Sequence, residues 1–94
     1  MERVITVVPE DGLHARPASA FVQTAGEYDA EITVAAADGD GRPARADSML
    51  AVTGLGVKHG DDVRIEADGP EAEAALDALE TVLQTPAAEL DADE

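Results

Sequence analysis

The segment ERVITVVPEDGLHARPASAFVQTAG, residues 2–26, changes from one backbone period to another across a single turn. Residues 2–8 are rich in Val, Ile and Thr, whose branched Cβ suits an extended strand, and Pro9 bounds them. Residues 9–13, PEDGL, carry turn chemistry. From Ala15 to about Gly26 the apolar residues Ala18, Phe21, Val22 and Ala25 recur at the three- and four-residue spacing of a helix. Pro17 falls in the first turn, where its missing N–H breaks no hydrogen bond, and Gly26 stands where the helix would stop. A strand fed through a tight turn into a helix puts His14 at the helix cap.

Downstream, AEITVAA (30–36) reads as a second strand, DGDGR (38–42) as a turn and PARA (43–46) as a short third strand, so these pair as a hairpin. SMLAVTGL (48–55) suits a short helix with Ser48 as N-cap. GVKHGDD (56–62) is a loop, and VRIEA (63–67) alternates apolar and polar as a half-buried strand does. PEAEAALDALETVLQ (70–84) is predicted to begin at Pro70, with Glu71 and Glu73 in its first turn. Its apolar face is Ala72, Ala75, Leu76, Leu79, Val82 and Leu83. The order β-α-β-β-α-β-α is most economically met by one sheet with the helices on one face and the other face open.

Ninety-four residues allow one domain with a modest core, expected over 1–84, with an acidic tail over 85–94. The chain is 45 % apolar, but Phe21 and Tyr28 are its only aromatics, so Val, Ile, Leu and Ala must fill the core. The absence of cysteine rules out disulfides and zinc thiolate sites and agrees with a reducing compartment. No apolar run approaches membrane-spanning length and MERVITVV shows no basic leader, so the expected location is cytoplasmic, without membrane insertion. Twenty-one acids face six bases, a net charge of −15. Such a surface suits a cytosol rich in salt, as in halophiles; the alternative is a surface aimed at a basic partner. Nucleic acid is excluded as a partner, because phosphates need a basic patch.

The first N–H groups of a helix lack intrahelical acceptors and carry the positive end of the macrodipole, which makes an anion site. A group bonded to the His14 ring would lie near the amides of Ala15 and Arg16, and the Arg16 guanidinium would reach the same oxygens. A largely neutral, nucleophilic imidazole beside a phosphate cradle supplies the positioning that phosphoryl transfer needs. The competing reading is a surface histidine near a cap. Around these positions carboxylates vanish: neither residues 12–26 nor residues 48–60 contain one. DGDG with Asp47 fails the calcium-loop spacing and reads as a turn, so neither metal nor cofactor is expected. His59, in KHG, reads as a solvated surface residue.

GLHARPA (12–18), SAFV (19–22) and SMLAVTGLGVKHGDDV (48–63) together resemble the histidine-containing phosphocarrier (HPr) family of the sugar phosphotransferase system. The resemblance runs from Arg3 to about Leu83. It implies an α+β open-faced β-sandwich, a four-stranded antiparallel sheet with helices packed on one face. It implies that His14 is the phosphorylated histidine, modified on Nδ1, that Arg16 helps hold the phosphoryl group, and that Pro17 is the proline of the first turn. The partners implied are enzyme I, which donates the group from phosphoenolpyruvate, and an enzyme IIA component, which accepts it. A stoichiometric carrier rather than an enzyme follows, and net repulsion together with an exchange role favours a monomer. Ser48 matches the serine that a dedicated kinase modifies in some branches; a plain N-cap is the simpler reading, since Asp47 replaces the usual lysine before it. Met49, Leu50 and Thr53 match partner-binding positions, although a Met-Leu pair would equally suit a core. Asp11 stands where relatives often have Asn or Ser, and Gln23 and Gly26 where some have lysine. Alternatives within the resemblance are a regulatory docking module controlled at Ser48 and a carrier for dihydroxyacetone phosphorylation or nitrogen-linked signalling.

Overall fold

Alternation along the strands decides which side of the sheet is covered. The computed structural model describes residues 1–10, 12–13, 15–37 and 43–85, with the backbone alone of Ala15. Strands β1 (Glu2–Thr6), β2 (Glu31–Ala36), β3 (Ala44–Arg45) and β4 (Asp62–Asp68) form one antiparallel sheet in the order β1-β4-β2-β3. Ile5, Ile32, Val34, Val63, Ile65 and Ala67 are buried, while Glu2, Val4, Thr6, Glu31, Asp62, Glu66 and Asp68 are exposed, as a period of two requires. The helices α1 (Ala15–Ala25), α2 (Met49–Thr53) and α3 (Ala72–Leu83) cover the apolar side. The molecule measures 31 × 31 × 20 Å, and the thin dimension holds one sheet and one helix layer. This is the α+β open-faced β-sandwich that the motif pattern implies.

The core joins Ala18, Phe21 and Ala25 of α1 to Leu76, Leu79 and Leu83 of α3 and to Val52 of α2. Each large side chain fully buried there contributes about 1.5–3 kcal/mol. Phe21, the chain's single Phe, is wholly buried at the centre, and Tyr28 packs partly buried against the cluster. Val82 also lies against the core partly buried, at the edge of the predicted α3 stripe.

Several element ends differ from the expected ones, each for a tertiary reason. β1 stops at Thr6: the Val7 N–H still reaches the Asp61 carbonyl (2.8 Å), but the Val8 N–H turns to the Leu83 carbonyl at the end of α3 (2.8 Å). β3 spans two residues and α2 five, since the Gly54 N–H closes that helix on the Leu50 carbonyl (3.0 Å). Helix α3 begins at Ala72 and not at Pro70. Gly69 adopts φ +142° and the Ala72 N–H bonds back to the Gly69 carbonyl at 3.2 Å, so Pro70 belongs to a turn ahead of the helix. Glu71 stands at the N-cap of α3, but its side chain makes no capping bond there. Its Oε1 accepts the Asp29 N–H (2.7 Å) and its own N–H donates to the Asp29 carbonyl (3.1 Å), tying the start of α3 to the approach to β2. The expected turn at 38–42 and the tail beyond 85 lie outside the described residues. Among the described residues no helix is long and apolar enough to cross a membrane.

Candidate functional site

His14 and Asp11 lie outside the described residues, and the site is built from what stands on either side of them. Gly12 adopts φ +72°, and a Cβ there would stand 2.4 Å from the Val57 carbonyl oxygen and 2.7 Å from the Lys58 Cα. Glycine alone tolerates both the left-handed backbone and that approach. The Gly12 N–H closes a turn on the Pro9 carbonyl (2.9 Å), and the Leu13 N–H donates to the Val57 carbonyl (3.1 Å) with the Leu13 side chain buried. Helix α1 then starts at Ala15, and its first turn contains no acid. Pro17 is buried in that turn and Arg16 is exposed. The amides of Ala15 and Arg16 head an eleven-residue helix, where an anion would meet N–H donors and the positive end of the macrodipole.

The second acid-free window sits against the first. Helices α1 and α2 are in contact, and the loop after α2 supplies the Val57 and Lys58 backbone that Gly12 abuts. Ser48 is the N-cap of α2: its Oγ accepts the Ala51 N–H at 3.3 Å from extended backbone. Beside it, the Arg45 Nε and a terminal nitrogen donate to the two oxygens of Asp47 at 3.2 and 3.1 Å. These hydrogen bonds hold the Asp47 carboxyl below its ordinary pKa and raise that of Arg45. Met49 and Leu50 are 40 % and 84 % exposed, so the Met-Leu pair is a surface feature and not core. The Thr53 hydroxyl turns inward along its own helix, donating to the Met49 (2.9 Å) and Leu50 (3.2 Å) carbonyls.

Two contributors were not legible as such. PEDG announces a turn, but nothing in it shows that Gly12 presses on Val57. His59 is exposed, as expected, yet its Nδ1 lies 2.8 Å from the Val8 carbonyl oxygen. Neither contact leaves a local pattern, because each joins positions far apart in the chain. A groove of about 260 Å³ lined by Ala25, Ala30, Ile32, Arg45 and Asp47 involves the opposite end of α1 and does not reach the helix mouth. Among the described residues no group of three acidic or histidine side chains is arranged to hold a metal.

With this geometry in place, the chain matches the family model described as "PTS HPr component phosphorylation site" over residues 1–85. The chain belongs to the HPr family of the phosphotransferase system. It is 62 % identical over 88 residues to the phosphocarrier protein HPr of Haloferax volcanii, covering 94 % of this chain and 98 % of that one. The HPr of Streptomyces coelicolor is 47 % identical over 78 residues, 83 % of this chain and 82 % of that protein. Among solved structures, an HPr from Bacillus anthracis superposes with a TM-score of 0.83 at 33 % identity, over 89 % of this chain and 96 % of the other. The halophilic character read from the charge balance agrees with the Haloferax match.

Proposed function

We propose that the protein accepts a phosphoryl group on His14 from phosphorylated enzyme I and passes it to an enzyme IIA component. The observation that carries this reading is the start of α1 at the residue after His14, with an acid-free first turn in which Arg16 is exposed. A ring nitrogen attacks phosphorus, the new P–N bond forms as the bond to the donor breaks, and the donor keeps the electron pair. The amides of Ala15 and Arg16 and the Arg16 guanidinium stabilise the charge on the phosphoryl oxygens. Transfer to enzyme IIA is the same step in reverse, so the protein is a stoichiometric carrier and a substrate of its partners.

Met49 and Leu50 supply the apolar part of the docking surface in this reading, since a side chain as exposed as Leu50 contributes little to folding. Its action would be cytoplasmic. Ser48 is read as a helix cap; a kinase acting there would place a phosphate beside the Asp47 carboxylate, which Arg45 only partly offsets. The carrier and a docking module regulated at Ser48 separate by the stability of the label. After incubation with phosphoenolpyruvate and the cognate enzyme I, the carrier reading expects a phosphate that is lost in acid and is handed on when enzyme IIA is added. An acid-stable label that remains on the protein would support the regulatory module instead.

A further inference from the structure

Residues 57–61 run beside the arm that leads from β1 to α1 and touch it repeatedly. The Val57 carbonyl accepts the Leu13 N–H at 3.1 Å, and the Lys58 backbone abuts Gly12. The Gly60 N–H donates to the Val7 carbonyl and the Val7 N–H to the Asp61 carbonyl, both at 2.8 Å. The His59 ring completes the set through Nδ1, 2.8 Å from the Val8 carbonyl oxygen. The loop is braced by Asp61, whose Oδ2 accepts the Lys58 N–H (3.0 Å) while its own N–H donates to the Lys58 carbonyl (3.0 Å).

We infer that His59 is a positioning residue for the phosphoryl site, pinning the arm that delivers residue 14 to the mouth of α1. The inference rests on the carrier reading above. A carbonyl oxygen only accepts, so Nδ1 carries the proton in this contact. Val8 sits between buried Val7 and buried Pro9, and its N–H is already committed to the Leu83 carbonyl. The ring of His59 thus holds the remaining polar group of Val8, and only the Pro9–Gly12 turn intervenes before Leu13. Phosphoryl transfer depends on in-line placement, and small displacements of the acceptor are costly. A rigid arm keeps that placement while partners dock on the adjoining α2 face. The pin is exposed to water, which limits its effect to a several-fold one.

The test uses the full chain with His59→Ala and His59→Asn; the asparagine Nδ2 stands close to where Nδ1 does and keeps a donor without the ring. Amide hydrogen exchange is read at Leu13, with Ile65 in central β4 as reference, alongside kcat and KM for phosphorylation by enzyme I. His59→Ala should speed exchange at Leu13 about fivefold and lower kcat to a similar extent, with KM and Ile65 unchanged. His59→Asn should restore both. Unchanged exchange at Leu13, an unchanged kcat, or failure of His59→Asn to rescue would each overturn the inference. If the unaltered protein takes up no phosphoryl group, the carrier reading fails, and exchange at Leu13 alone decides whether His59 pins the arm.

Discussion

A single methyl group at Gly12 would collide with the Val57 carbonyl oxygen at 2.4 Å, on a backbone already at φ +72°. Gly12→Ala is therefore expected to cost about 2 kcal/mol or more, since both strain and displacement of the loop contribute. Urea unfolding would measure this, and a variant as stable as the original would show that the loop yields freely. The turn at PEDG was readable because Gly and Asp have local reasons to be there. The demand for glycine was not, because it comes from a carbonyl delivered by a distant segment. Ser48 shows the opposite case: an N-cap bonds within its own helix, and its role was visible in the sequence. Beside it, the Arg45 hydrogen bonds depress the Asp47 pKa in the folded state. A depressed carboxyl stabilises the fold above its unfolded pKa of about 3.9, and that contribution is lost as pH falls through the folded value. Below about pH 4, Arg45→Ala should therefore flatten part of the pH dependence of the urea midpoint. Identical acid profiles for the two proteins would show the pair to be idle.

The sheet register sets like charges against each other. Glu2 lies opposite Glu66 and Glu31 opposite Asp68, all on the face that the helices leave open. Directly opposed like charges destabilise a ladder, and here Arg64 offsets one of them through Glu2 at 3.3 Å. Glu66→Gln should raise stability in dilute buffer by about 0.5 kcal/mol, with the gain shrinking in molar potassium chloride as screening takes over. A loss of stability in dilute buffer would contradict this account of the open face. The identity of β1, β2, β4, α1 and α3 was legible, since the periods of two and 3.6 belong to each segment by itself. The ends were less so. β1 yields Val8 to the end of α3, and Glu71 leaves its expected place in the first turn of α3 to hold the Asp29 N–H. Both depend on partners that no local window contains. The surface position of Met49 and Leu50 was likewise open, because five residues of helix are too short for a stripe to declare its buried side.

Over the whole molecule the net charge of −15 is spread around two acid-free windows that fold together at the start of α1. Self-repulsion of this size weakens the compact state when screening is poor, so the thermal midpoint followed by circular dichroism should climb as potassium chloride is raised. A midpoint indifferent to salt would remove the link between the acidic surface and a salt-rich cytosol. The same distribution leaves the first turn of α1 without a carboxylate, which suits the proposed transfer of an anionic group. The account depends most on the residue at that mouth. Intact-mass measurement after incubation with phosphoenolpyruvate and enzyme I should find one phosphoryl group per chain, removed by acid and absent from His14→Ala. A chain that gains none, or a His14→Ala variant that gains it equally, would contradict the account.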